Sequence, residues 1–290
     1  MSVLKNKIDF AVVFSVKNAN PNGDPLNGNR PRETYDGFGE VSDVCIKRKI
    51  RNRLQDMGER IFVQMDERCD DGFGSLSERA SANPALRAAG KDKVAYAKAA
   101  CKEWFDVRAF GQVFAFKSGK SKKSDEEKED GVSIGVRGPV TLHPAISHNH
   151  IDIETLQITK SVNSEPGEKK SSDTMGSKHR VVFGLYSFSG SINCQLAEKT
   201  GFSEEDAEKI LEALKTLFEN DASSARPEGS MEVCRVYWWV HNCPNGQYSS
   251  AKVHRTLHIK PLSENPRSFE DYSVTVDKLP GLTVSQYDLL

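Results

Sequence analysis

The run Lys7 to Lys17 constrains the fold of this chain more than any other stretch. Phe10, Val12, Phe14 and Val16 alternate with Ala11 and Val13, so part of an extended chain here is apolar on both sides. Side chains of a strand point to opposite faces in turn. A strand that is apolar on both faces needs cover on both, which places it inside a sheet and not at its edge. The run predicts a central strand.

The stretch that follows, Asn18 to Gly58, is of a different kind. Its first half is a loop crowded with Asn, Gly and Pro that carries Arg30 and Arg32. Its second half predicts a helix. Ser42 or Asp43 is the N-cap, because either side chain can accept from the free N–H groups of the first turn. Ile46, Ile50, Leu54 and Met57 recur at i, i+4, i+8 and i+11, the face that packs on the sheet. Lys47, Arg48 and Arg51 lie off that face, with Lys49 as a further candidate, and Gly58 stops the helix. A charged helix face is ordinarily just solvated. Here the cations cluster with almost no interleaved acid until Asp56, behind a loop with two more arginines. That pattern points to a phosphate-binding surface.

Farther along, Arg60 to Gln64 reads as a short second strand, and Met65 to Gly90 as a polar insertion with few large apolar residues. A helix is expected from about Asp92 to Phe105, and strand character from Asp106 to Phe116. Lys117 to Gly131 holds no apolar residue and reads as a mobile surface loop, its Lys120, Lys122 and Lys123 solvated. Val132 to Ser147 and Ile151 to Val162 read as strands. The chain then makes a long hairpin-like excursion and returns through VVFGLYSFSGSIN. Its tip region carries Lys169, Lys170, Lys178, His179 and Arg180, with Met175 as an isolated apolar residue. Ser203 to Asn220 is the clearest helix, with Ser203 as N-cap and Asp206 as the acid of a capping box. Glu232 to Asn242 reads as another buried strand, with Tyr237 and Trp239 on one face and Trp238 on the other. The order strand, helix, strands, helix, strand predicts an α+β fold. Two helices on one face of an antiparallel sheet would give a ferredoxin-like βαββαβ core, the frame of RNA-recognition modules.

With 290 residues, 37% hydrophobic and 28% charged, the chain is expected to be one elaborated domain or two small ones in a soluble protein. The net charge of −1 confines any nucleic-acid binding to local patches. No run approaches the roughly 18 apolar residues of a membrane span, and no signal peptide is expected. Six cysteines without a CxxC pair read as reduced thiols of a cytosolic protein. His143, His148 and His150 lie close together, and His254 and His258 are four apart, but no cysteine pair completes a zinc set, so they read as surface histidines. No cofactor, metal centre or nucleophilic motif is expected. Asp24, just before Pro25, reads as a turn residue, with a place beside an RNA phosphate as its other role.

The loop Asn18-Ala19-Asn20-Pro21-Asn22-Gly23-Asp24-Pro25, with Arg30-Pro31-Arg32 and the helix from Asp43 to Arg51, resembles the crRNA-binding backbone subunit of type I CRISPR Cascade complexes. More narrowly, it resembles the type I-C branch of the Cas-seven family. Asp106 to Gly111, Gly138 to Thr141, Ile158-Thr159-Lys160-Ser161, Met175 to Tyr186 and Thr200 to Ser203 carry the same resemblance, which runs to about Trp239. It implies a single domain over residues 1–290, with an RRM-like palm, finger-like insertions near 65–131 and a thumb hairpin near 162–180. It implies RNA contacts from Asn20, Asn22, Arg30, Arg32, Lys47, Arg48, Arg51, Lys160, Ser161, Lys178 and His179, with Met175 as a wedge. The implied partners are crRNA, target DNA through the guide, further copies head to tail, other Cascade subunits and a recruited nuclease-helicase, all in the cytoplasm. Family members of this type do not cut. Relatives in type III complexes are metal-dependent endoribonucleases that use a loop aspartate, and Asp24 is the residue that keeps that alternative open.

Overall fold

The computed structural model describes residues 2–115, 133–159 and 175–290. The expected mobile loop 117–131, Lys160, Ser161 and the first part of the excursion, 162–174, lie outside the described residues.

The fold is mixed α and β, built on one large antiparallel sheet. Its strands are β1 (Ile8–Ala19), β2 (Phe38–Val41), β3 (Val140–Leu142), β4 (Ala145–His150), β5 (Ile153–Thr159), β6 (Met175–Ile192), β7 (Met231–Val240) and β8 (Val284–Asp288). The spatial order is β8-β7-β1-β6-β4-β2, with β3 and β5 also paired to β6. β1 lies between β6 and β7, with Phe14 opposite Tyr186 on one side and Val233 on the other. The interior position expected of Lys7 to Lys17 follows from that two-sided apolar pattern.

The two faces of β1 are covered by different parts of the chain. Phe10, Val12, Phe14 and Val16 pack under two helices, α1 (Asp43–Asp56) and α2 (Glu204–Lys215). α1 contributes Ile46, Ile50 and Leu54, and α2 contributes Ala207, Ile210, Leu211 and Leu214. The caps form as the sequence predicts. Ser42 Oγ accepts from the Cys45 N–H at 3.3 Å. Ser203 Oγ accepts from Asp206 N–H at 3.1 Å, while Asp206 Oδ2 accepts from Ser203 N–H at 2.9 Å. On the opposite face Ala11, Val13, Tyr237 and Trp239 lie beneath Val253, Tyr272 and Leu282 of the C-terminal segment. That segment contains a short helix, Ser250–His254, and the paired strands Leu257–Pro261 and Tyr272–Val276.

Three local readings change. Arg60 to Gln64 is not a strand: the Phe62 and Val63 N–H groups donate to the Asp106 carboxylate at 2.7 and 3.1 Å instead of to a neighbouring chain. Asp106 to Phe116 begins as a helix, Phe105–Phe110, and becomes a strand only at Gly111–Phe114, paired with Ile134–Arg137. Gly111 makes the switch at φ +83°, where a Cβ would stand 2.3 Å from the Val136 carbonyl oxygen. The polar stretch Met65 to Gly90 contains the helices Leu76–Ala82 and Pro84–Ala89. Its Ala80 and Leu86 share a separate core with Phe62, Cys101, Trp104, Phe114 and Ile134.

One feature of the sheet reaches beyond it. β1 follows β6 only as far as Val181, opposite Ala19. From Met175 to Val181, β6 pairs with β5, so the two strands form an antiparallel ribbon that leaves the sheet. Leu156, Ile158 and Met175 are exposed on it.

Candidate nucleic-acid interface

The Asn/Gly/Pro loop is an ordered meander. Gly23–Asp24 pairs with Arg30–Pro31, and Glu33 bridges Gly39. Two of its asparagines, Asn20 and Asn22, are bonded within the protein through their side chains. Asn20 is buried and donates from Nδ2 to the Asn29 carbonyl at 2.7 Å. Asn22 Oδ1 accepts from the Ser42 N–H at 3.0 Å and the Ser42 hydroxyl at 2.9 Å, tying the loop to the start of α1. Asn29 takes a left-handed conformation (φ +59°), which asparagine tolerates better than most residues. Asp24 accepts from Leu26 N–H at 3.2 Å and lies 3.6 Å from Arg32 Nη2, so both carboxylate contacts serve the turn.

Arg30 connects this loop to the ribbon. Its Nη1 donates to Thr155 Oγ1 at 3.0 Å, and the same oxygen lies 2.9 Å from His179 Nδ1. Thr155 faces His179 across the ribbon, and Met175, four register positions away, shares that face. Lys178 pairs with Leu156 and points to the other face, beside the Ile158 position. The structure thus brings Arg30, His179 and Met175 onto one side and sets Lys178 on the reverse. Nothing in the sequence singles out Thr155. It becomes visible only through the β5–β6 register.

The cations of α1 are engaged differently. Lys47 Nζ lies 3.0 Å from Asp43 Oδ2. Arg48 Nη1 donates to the Val63 carbonyl at 2.6 Å, and burial, followed by the nearby Arg51 charge, lowers its pKa. Arg51 Nε lies 2.8 Å from Asp106 Oδ2, with the two side chains 13% and 1% exposed. Lys49 does not face solvent. Its side chain is 4% exposed and ion-paired with Asp221. Burial lowers its pKa, and Asp221 opposes that shift. Asp106 and Asp221 come from far along the chain, so the spacing of α1 gives no sign of either.

The aromatic residues of β7 are packed away. Trp238 stacks on Phe10 at 5.5 Å, and Tyr237 on Trp239 at 6.0 Å beneath the C-terminal segment. The histidines are not all on the surface. His241 Nε2 lies 2.8 Å from the buried Asp9 carboxylate, which Lys7 approaches at 3.1 Å. His148 lies 2.7 Å from Ser187 Oγ, and burial lowers its pKa to about 4. Among the described residues no group of three or more His, Cys, Asp or Glu is placed to hold a metal ion, and no helix is long and apolar enough to cross a membrane.

Comparison with known proteins places the chain in a family. A CRISPR-associated protein Cas7 from Haloferax volcanii is 28% identical, over 94% of this chain and 82% of its own length. Two solved chains bear the descriptions "CRISPR RNA-guided surveillance complex, pre-nicking" and "CRISPR RNA-guided surveillance complex". They are 17% and 15% identical, with TM-scores of 0.48 and 0.46. The matches cover 84% and 86% of this chain and 81% and 74% of theirs. At that level the structural likeness carries no argument of its own. The sequence profile described as "CRISPR-associated protein Cas7" matches residues 6–277, nearly the whole chain, and on that match the chain belongs to the Cas7 family.

Proposed function

We propose that this chain is a non-catalytic crRNA-binding backbone subunit of a type I-C CRISPR Cascade surveillance complex. Copies polymerise head to tail along the guide RNA and present it for pairing with target DNA in antiviral defence. Other Cascade subunits complete the assembly in the cytoplasm, and a recruited nuclease-helicase acts on the target. A net charge of −1 suits this arrangement, because a basic face on one copy can meet an acidic face on the next.

Residues 1–290 form one elaborated RRM-like domain in this proposal. Support comes from the order β7-β1-β6-β4 with α1 and α2 on one face. In chain order those strands are the fourth, first, third and second of a βαββαβ unit. The insertion near 65–131 supplies the fingers. The ribbon is the root of a thumb that occupies 162–180.

The observation that carries the proposal is the Arg30–Thr155–His179 chain. It fixes a cation-bearing loop to the root of a projecting ribbon, so that one polar track runs from loop to ribbon. Arg30, Arg32 and His179 take phosphates along that track, Met175 acts as the apolar wedge, and Lys178 takes a phosphate from the reverse face of the ribbon. Asn20 and Asn22 hold the loop in shape beneath the RNA. Lys47, Arg48, Arg51, Lys160 and Ser161 are further RNA contacts in this proposal. A guanidinium has five N–H donors, so one internal bond leaves room for a phosphate. Contacts of this kind read the backbone and accept any guide sequence.

The test is co-expression with and without a repeat-spacer RNA, followed by sizing and the 260/280 nm absorbance ratio. A large, RNA-dependent and RNase-sensitive assembly is expected. A small species free of nucleic acid, unchanged by RNA when the partner subunits are also present, would overturn the proposal.

A further inference from the structure

Among the described residues Tyr35 is the only exposed phenylalanine, tyrosine or tryptophan, and it is fully exposed. A lone exposed apolar residue is ordinary on a protein surface. The turn that carries this one is held at several points. Thr34 N–H donates to the Phe38 carbonyl at 2.7 Å, and Gly37 N–H to the Thr34 carbonyl at 3.0 Å. Phe38 N–H donates to Thr34 Oγ1 at 3.1 Å. The turn is also fastened to the sheet. Ile151 N–H donates to the Gly37 carbonyl at 3.1 Å, and the Phe38 ring meets His150 edge-on at 4.4 Å. Ile151 stands two residues before β5, the strand whose Thr155 holds Arg30. Tyr35 therefore stands at the junction of loop and ribbon, on backbone that is already fixed.

We propose that Tyr35 is a base-stacking residue for single-stranded RNA; the proposal rests on the RNA-binding function above and adds a contact to it. An aromatic ring with only two rotatable angles, carried on fixed backbone, loses little conformational entropy when it is covered. Every base has a π-face, so stacking tolerates any sequence, as a guide-binding subunit requires. Arg30 and Arg32 lie on the same loop and supply the phosphate contacts that accompany such a platform. The Tyr237–Trp239 stack on β7 is buried beneath the C-terminal segment and is closed to a base.

The three native tryptophans, Trp104, Trp238 and Trp239, are all buried. The variant Tyr35→Trp therefore adds the one exposed indole. Two titrations of the nuclease-treated full chain test the proposal. One follows the anisotropy of a fluorescein-labelled, mixed-sequence single-stranded RNA. The other follows tryptophan emission of Tyr35→Trp with the same RNA unlabelled. The expected results are saturable quenching over the binding range, Kd raised about tenfold by Tyr35→Ala, and Kd unchanged by Tyr35→Phe. If the wild type binds the RNA, Tyr35→Ala binds it equally well and the emission does not change, stacking is overturned while RNA binding stands. An emission blue shift that grows with protein concentration alone would show a second copy covering Tyr35, and would also overturn stacking. Failure of the wild type to bind RNA overturns the RNA-binding function, and this contact with it.

Discussion

Two groups of cations look equivalent in the sequence and are treated in opposite ways by the fold. Along α1, Lys47, Lys49 and Arg51 each meet a carboxylate, those of Asp43, Asp221 and Asp106. At the loop–ribbon junction Arg30 meets, among the described residues, only the neutral Thr155 hydroxyl, which it shares with His179. A cation matched by a buried carboxylate holds elements together and has little charge left to offer. One bonded to a neutral group keeps its charge for a polyanion. Clustering of lysine and arginine along a helix therefore does not locate a phosphate site until their acidic partners are known.

The largest effect that separates the two groups is on stability. Asp106→Ala removes a buried carboxylate that accepts from Arg51 Nε and from the Phe62 and Val63 N–H groups. It leaves Arg51 without its counter-charge and two backbone donors unmatched, at a cost of about 3–5 kcal/mol. Arg30→Ala breaks one exposed bond and costs less than about 1 kcal/mol. Urea unfolding of both variants checks the difference. Equal losses would break the distinction between a structural and a binding group of cations.

A smaller effect separates the covered face of the sheet from the ribbon. Burial holds the His148 pKa at about 4, below the roughly 6.5 of an unfolded chain. The imidazole is then neutral in the fold and takes up its proton first in the unfolded state. The stability it protects is fully present above pH about 6.5. It falls as pH drops towards about 4, by about 3 kcal/mol. Urea midpoints across that range should fall less steeply for His148→Gln, which keeps a polar group near Ser187. A His148→Gln curve parallel to the wild type would mean that this ring titrates in the fold as it does in water.

Much of the fold was legible because its signals are local. The two-sided apolar run of β1 and the capping box at Ser203 each sit within a few residues, and both formed as read. The cover on the second face was not legible, because the strands after residue 256 are short and mostly polar. Only Val253, Tyr272 and Leu282 of that segment are buried against β1 and β7. The separate core around Phe62 and Trp104 was hidden for a similar reason: Ala80 and Ala100 are too small to mark an apolar face, yet both are buried. At the site, Arg30 and His179 were visible as residue types. Their meeting through Thr155 depends on a cross-strand register between residues 24 positions apart.

A third prediction concerns the join between the two groups. Asn22→Ala removes the acceptor for both the N–H and the hydroxyl of Ser42, the N-cap of α1. The expected cost is about 1–2 kcal/mol in urea unfolding, with the salt dependence of RNA binding unchanged. A changed salt slope with unchanged stability would instead make Asn22 a contact residue.

The smallest expected effect on stability is also the sharpest test of where RNA lies. Removing one phosphate-binding cation lowers the slope of log Kobs against log salt by roughly one. Arg30→Ala with Lys178→Ala should lower it by roughly two and change stability by less than about 1 kcal/mol, because neither side chain is paired with a carboxylate among the described residues. Lys47→Ala with Arg51→Ala should lower it by less than about one, since Asp43 and Asp106 already match those charges. The second pair should also destabilise the chain, because Asp106 is left buried without its cation. Affinity alone would not distinguish the two pairs, since an unfolded fraction also lowers apparent affinity. The slope does distinguish them, because it counts the ions released by the folded fraction. Equal reductions in slope would place α1 on the RNA. A reduction from the loop–ribbon pair alone would confine the RNA to the loop and the two faces of the ribbon, away from α1.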